Sequence, residues 1–286
     1  MTKTICFHHN DPDGHASGAI VRYALGADVQ LVESDYDVTA IPWDAVARAD
    51  QVIVVDFSFP REQMVKLAQG CELVWIDHHK SAIADFDDVA DNWSGIRDIS
   101  EAACVLTWKY FFPERPVPKA ILLIGDRDIW RWAEEDTGPF NESLYNRDHE
   151  AGDVEFWKPL LEDDQPTLDK MIEEGAWLRK INLRNVERMM DSRSFEVRFD
   201  GYNTLVVNTR GTGDIGDYGR DRGYEIVYCY IDQMQNGILS TNVTLFSSKV
   251  VVSVIAHRYG GGGHAGAAGF SFPRGAMPFP PESDVQ

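Results

Sequence analysis

A two-domain α/β protein is what the sequence predicts: a doubly wound, mainly parallel sheet, then a smaller α/β domain. Three observations carry this. Before residue 80 the chain has three short apolar runs, at 5–7, 52–55 and 73–76, rich in Val and Ile and free of polar alternation, the pattern of strands buried on both faces of a parallel sheet. Helices fit between them at 16–25 and 61–69. The chain has 286 residues, 44% of them hydrophobic, enough for one large core or two medium ones.

Each apolar run ends in ionisable residues: His8-His9-Asn10-Asp11-Pro12-Asp13 after the first, Asp56 after the second and Asp77-His78-His79 after the third. Ligands of open α/β sheets sit beyond the carboxyl ends of the strands, so these side chains are expected to converge. Two more helices are expected at 100–112 and 118–125, the second leading into Gly125-Asp126-Arg127-Asp128-Ile129-Trp130. From there to residue 165 the chain reads as acidic and irregular. Leu168, Met171, Ile172, Leu178, Ile181, Val186, Met189 and Met190 have the spacing of a long amphipathic helix over 167–190. Strands are expected at 195–199, 204–207, 225–231 and 238–246, then a helix at 249–259 and a glycine block from Gly260. The resulting division is a first domain over 1–165, a helical connector over 166–192, a second domain over 193–275 and a loose tail over 276–286. No internal repeat or long low-complexity tract interrupts this order.

Composition excludes several function classes. The 46 acidic and 27 basic residues leave a net charge of −19, and a surface that negative repels the backbone of long duplex DNA. A short nucleotide remains compatible, because local cations reverse the sign within one cleft. No stretch approaches a membrane span, and the N-terminus lacks the apolar core of a secretory signal, so a cytoplasmic location is expected. Cys6, Cys71, Cys104 and Cys229 are widely spaced and form no C-x-x-C pair, which suggests reduced, mostly buried thiols.

His9-x-Asp11-x-Asp13-Gly14 places three donors at alternate positions where a strand runs into a loop, so that they face one way. Asp11 or Asp13 would equally serve as a helix cap. Asp56 has the same two readings, raised toward ligation by its apolar strand. In Asp77-His78-His79, adjacent imidazoles point in different directions, so one can bind metal while the other meets a phosphate. Trp130 and Trp132 fit either the core or a base-stacking role.

These motifs in order, with Gly125-Asp126-x-Asp128 as the fourth, resemble the DHH phosphoesterases; Gly260-Gly-Gly-Gly-His264-x-x-Ala267-Ala268-Gly269 resembles their C-terminal DHHA1 domain. The similarity is greatest to the short oligoribonuclease and nanoRNase branch. It implies two Mn²⁺ ions, with Mg²⁺ or Co²⁺ as substitutes, in an active site between the domains. His9 and Asp11 would hold one ion, Asp13 and His78 the other, Asp56 would bridge them, and Asp126 would complete the second set, with Asp128 the competing choice. Asp77 would orient a histidine and His79 would contact the scissile phosphate. Gly261, Gly262, Gly263 and His264 would bind substrate. Where the family carries an arginine before this block, the chain has Phe246, with Lys249, Arg258 and Arg210 as candidate replacements or Phe246 itself stacking a base.

The activity expected is hydrolysis of short oligonucleotides or linear dinucleotides to 5′-mononucleotides by a metal-activated hydroxide. The alternatives are an exonuclease on longer single strands, a pyrophosphatase, a cyclic-nucleotide phosphodiesterase or a silent nucleotide sensor. The expected partner is a short nucleotide, without duplex DNA or membrane, and a homodimer is compatible.

Overall fold

The structure, a computed structural model, describes residues 3–35, 40–235 and 237–274; the tail expected at 276–286 lies outside the described residues. The chain divides into two compact units, Met1–Arg179 and Lys180–Gln286. The division falls within a single long helix, Gln165–Arg193.

The first unit is built on four parallel strands, β1 (Thr4–His9), β2 (Gln30–Ser34), β3 (Gln51–Val55) and β4 (Glu72–Ile76), in the order β2-β1-β3-β4. Helices α1 (Pro12–Leu25), α2 (Trp43–Val46), α3 (Arg61–Gly70), α4 (Lys80–Asp85), α5 (Ala103–Phe111), α6 (Lys119–Asp128), α7 (Thr137–Tyr145) and α8 (Val154–Leu161) follow the chain. Alternate strand residues serve opposite faces. Phe7, Val54 and Trp75 pack with Met64 and Leu67 of α3, while Cys6, Ile53 and Val74 pack with Val21 of α1 and Leu106 of α5. Apolar residues on both faces are why these strands lack polar alternation in the sequence. β2 escapes the sequence reading because it is an edge strand, Gln-Leu-Val-Glu-Ser, whose first and fourth residues are exposed.

The stretch to residue 165 is not irregular: it contains α7 and α8. Gly138-Pro139 near the start of α7 and Pro159 inside α8 disguise helices whose Phe140, Leu144, Trp157, Leu160 and Leu161 are buried in the core built on α1, α5 and α6. Tertiary burial overrides the local signal there.

α9 (Gln165–Arg193) is longer than the helix expected over 167–190. The second unit has one mixed sheet of β5 (Ser194–Phe199), β6 (Tyr202–Asn208), β7 (Ile226–Gln235), β8 (Ile238–Phe246), β9 (Gly262–Gly263) and β10 (Ala267–Pro273), in the order β5-β6-β7-β8-β10-β9. α11 (Val252–Arg258) covers one face through Val252, Ile255 and Ala256. Ile215 of α10 (Gly213–Asp221), with Val186 and Met190 of α9, covers the other. Cys6, Cys104 and Cys229 are buried free thiols. No helix among the described residues is long and apolar enough to cross a membrane.

Trp75 anchors the sheet beneath the site. It is fully buried, its indole N–H donates to the Phe57 carbonyl at 3.0 Å, and its carbonyl meets Gly95, whose φ of 118° and lack of Cβ permit the approach. Trp75→Ala is expected to cost about 3–5 kcal/mol in urea denaturation; a loss below about 1 kcal/mol would show that this core tolerates the cavity.

Candidate active site

Strand order reverses at β1, whose neighbours are β2 on one side and β3 on the other. The carboxyl ends of β1 and β3 therefore flank the switch point of the sheet, where ligands of such folds collect. His9 ends β1, Asp56 follows β3, and Asp77 follows β4.

Local structure fixes each side chain. Asp11 caps α1 by accepting from Gly14 N at 2.8 Å, while its second oxygen lies 2.8 Å from His9 Nδ1. Gly14 is obligatory here, since a Cβ would come within 2.3 Å of the His9 carbonyl oxygen. Asp13 is buried and accepts from the first turn of α5, through Ala103 N at 2.9 Å and Cys104 N at 2.8 Å. Asp11 thus caps α1 and still faces His9, and Asp13 receives the first turn of α5 while lying 3.7 Å from His78 Nε2. Asp56 sits in the left-handed region at φ 64°, a conformation that costs on the order of 1–3 kcal/mol and persists only where the surroundings enforce it.

These residues form three groups whose donor atoms lie within 4.8 Å of one another: His9, Asp11 and Asp56; Asp13, His78 and Asp128; and Asp56, His78 and His79. Asp56 faces both sides, with Oδ2 3.7 Å from His9 Nδ1 and Oδ1 3.3 Å from His78 Nε2. His78 Nε2 is also 3.7 Å from Asp13 and 3.4 Å from Asp128. Burial, then the charges of Asp13, Asp11 and Asp128, push the Asp56 carboxyl well above its ordinary range. Burial and the charges of Asp13 and Asp11 lift Asp128 to about 8. Burial would also raise Asp11, but the His9 ring and Gly14 N–H outweigh it and hold this carboxyl at about 2. Burial lowers His78, favouring the neutral ring a metal needs. Oδ2 of Asp56 and Oδ2 of Asp77 are buried without a hydrogen-bond partner. Such a surplus of carboxylate oxygen beside imidazole nitrogen, without thiolate, fits hard or borderline divalent cations.

Asp77 lies against the histidines. One oxygen accepts from His78 N at 2.7 Å, His79 N at 3.0 Å and His79 Nδ1 at 2.8 Å, fixing the His79 ring. Burial opposes protonation of His79, but this hydrogen bond and the Asp77 charge prevail and raise its pKa.

Asp126 does not join the cluster. Its carboxylate accepts from Ala133 N at 2.9 Å, Glu134 N at 3.2 Å and the Thr137 hydroxyl at 2.5 Å, and its carbonyl accepts from Arg131 N and Trp132 N. Burial would raise this carboxyl, but these bonds lower it. Asp126 organises the turn after α6, where Trp130 and Trp132 both have left-handed backbones (φ 60° and 53°) and their rings meet edge-on at 5.3 Å. Asp128, two residues on, is the acid of this motif that reaches the cluster, 3.4 Å from His78 Nε2. Both lie in one motif, and only the direction of the carboxylate distinguishes them.

In the second unit the glycine block is ordered into structure. Gly262 and Gly263 form β9, paired with Gly269 and Ala268 of β10, and a Cβ on Gly261 would lie 2.0 Å from the Gly269 oxygen. The backbone N–H of His264 donates to the Ala267 carbonyl at 2.8 Å, and the residue is exposed. Phe246 ends β8 and packs half-buried on α10, with a Cβ on Gly216 coming 2.9 Å from its ring. Of the replacements considered, Arg258 forms an ion pair with Asp200, Lys249 Nζ donates to the Gly223 carbonyl at 3.3 Å, and Arg210 is exposed.

Residues 3–123 match the model of the DHH family, N-terminal domain. The chain is 29% identical over 312 residues to uncharacterized protein R106 of Acanthamoeba polyphaga mimivirus, covering 98% of this chain and 70% of that one. It is 22% identical over 289 residues to oligoribonuclease NrnB of Bacillus subtilis, covering 93% and 72% respectively. Its fold resembles a DHH domain assigned to a family of ribosomal proteins, with TM-score 0.60, 16% identity and coverage of 94% of this chain and 82% of that one. It also resembles a pGpG-specific phosphodiesterase of Vibrio cholerae, with TM-score 0.53, 13% identity and coverage of 95% and 93%.

The two aspartates of the fourth motif separate experimentally. Asp128→Asn is expected to weaken Mn²⁺ binding at least about tenfold by calorimetry, while Asp126→Asn loosens the 129–137 turn and keeps the affinity within about twofold. The reverse ranking would return the ligand role to Asp126. Asp56→Asn is expected to raise the melting temperature of EDTA-treated protein, since it removes a buried charge among like charges, and to abolish stabilisation by Mn²⁺. A lower melting temperature without metal would show that the Asp56 charge is already compensated.

Proposed function

We propose that this chain, a member of the DHH family through its N-terminal unit, is a Mn²⁺-dependent phosphodiesterase that hydrolyses short oligonucleotides and linear dinucleotides to 5′-mononucleotides. One observation carries the reading: buried Asp56 stands between two sets of donors, with an oxygen toward each. A carboxylate in that position suits a pair of cations and is hard to account for otherwise, because like charges in a buried cluster are costly.

His9, Asp11 and Asp56 would hold one ion, and Asp13, His78, Asp128 and Asp56 the other. When bound, such a pair supplies positive charge to the phosphate oxygens and acidifies a water for in-line attack. The chain's own groups do the positioning. Ala103 and Cys104 N–H hold Asp13 in place, Asp77 accepts from Nδ1–H of His79, and in the imidazolium form that the raised pKa favours Nε2–H would donate to a phosphate oxygen. The carboxylate cluster disfavours any anion that arrives without its cations, which makes metal loading a precondition for substrate binding.

The net charge of −19 and the likeness to an oligoribonuclease and a pGpG-specific phosphodiesterase support a short substrate. Gly261, Gly262, Gly263 and the exposed His264 are the proposed substrate contacts of the second unit; the Phe246 ring, already packed on α10, is proposed to shape that surface.

The test is product analysis with Mn²⁺ on a linear diribonucleotide, RNA and DNA strands of some two dozen nucleotides, a cyclic mononucleotide and pyrophosphate. Rapid conversion of the dinucleotide alone to mononucleotides is expected. Equal or faster cleavage of the long strands would overturn the length limit, and phosphate release from pyrophosphate would move the protein to another activity. His264→Ala is expected to raise KM for the dinucleotide with bound metal unchanged; an unaltered KM would remove His264 from the substrate site.

A further inference from the structure

Arg127 lies between Asp126 and Asp128 in sequence, yet among the described residues the structure pairs its guanidinium with no carboxylate. Asp126 turns to Thr137 and Asp128 to His78. Arg127 Nη1 instead donates to the Tyr145 hydroxyl, and its guanidinium lies over the Tyr145 ring, 4.1 Å from the centroid. Several neighbouring cations are by contrast paired: Lys109 and Arg131 with Glu101, Lys119 with Glu134 and Arg147 with Glu174.

A guanidinium stacked on a ring has a fixed plane and keeps several N–H donors for a planar or tetrahedral anion. Tyr145 closes α7 and is 50% exposed, so the pair stands at the protein surface. It also stands beside the donor cluster, since Arg127 directly precedes Asp128, whose carboxylate lies 3.4 Å from His78 Nε2. Arg127 belongs to none of the three donor groups. It is therefore placed for an anion next to the scissile phosphate and not for the scissile phosphate itself. A phosphate monoester, with more negative charge than a diester, answers best to an uncommitted guanidinium.

We propose that Arg127, held on Tyr145, binds the terminal phosphate monoester of a short nucleotide whose internal phosphodiester lies at the Asp56 cluster. This rests on the phosphodiesterase reading and narrows it: the enzyme selects short substrates by their phosphorylated end. Tyr145 acts as a positioning residue for the guanidinium.

The test compares pApA with ApA, identical but for the terminal phosphate, in the full-length protein and in Arg127→Ala, Arg127→Lys and Tyr145→Phe variants. KM and kcat are measured with Mn²⁺, alongside calorimetric binding of non-hydrolysable methylene-bridged analogues of both ligands and determination of bound manganese. The wild type is expected to favour pApA in KM and in binding. Arg127→Ala is expected to reduce that preference about tenfold or more, Arg127→Lys to restore part of it, and Tyr145→Phe to reduce it less. Equal treatment of pApA and ApA by the wild type, an unchanged preference in Arg127→Ala, or loss of bound manganese in that variant would each overturn the proposal. Should the wild type bind the pApA analogue selectively through Arg127 but cleave neither dinucleotide, the phosphodiesterase reading fails while the anion site stands.

Discussion

Like-charge repulsion at the end of the parallel sheet is the constraint to which the rest of the first unit answers. Asp11, Asp13, Asp56, Asp77 and Asp128 gather among His9, His78 and His79, and a pair of unit charges about 4 Å apart repels by on the order of 4 kcal/mol in a medium of effective dielectric 20. Backbone N–H groups absorb part of this. The first turn of α5 serves Asp13, Gly14 serves Asp11, and the peptide groups of His78 and His79 serve Asp77. Asp56 receives the least, is buried, and has a left-handed backbone. The repulsion that backbone donors leave over is what divalent cations would offset, and metal binding would then be linked to folding.

Rigidity underneath makes this arrangement sustainable. The strands that lead into the cluster are buried on both faces, and the close approach at Gly14 locks the start of α1 to the end of β1. A donor displaced by even part of an ångström would alter several contacts together, because Asp56 and His78 each serve more than one group.

Much of this was legible in the sequence because the signals were local. Apolar runs without alternation revealed β1, β3 and β4, and the acids at their ends marked the cleft. What stayed hidden was nonlocal. Asp13 depends on amides some ninety residues away in α5, and the choice between Asp126 and Asp128 depends on Thr137 capturing the first of them. α7 and α8 carry prolines and acidic surfaces, and only their burial against α1 and α6 reveals them as helices. Arg127 gave no signal because spacing does not encode its packing on Tyr145, away from the two aspartates that flank it. In the second unit the glycine block was visible, but its role as an edge strand required the pairing with β10.

Cys104 donates its amide to Asp13, yet its thiol turns to the carbonyl of Ile121 at 3.7 Å. Burial, reinforced by the nearby carboxylates, pushes that thiol well above its ordinary pKa, so the sulfur stays protonated beside a cluster rich in negative charge. With its sulfur neutral and turned toward the α6 backbone, this cysteine is shielded from oxidants that attack only the thiolate, although its own amide serves the acidic cluster.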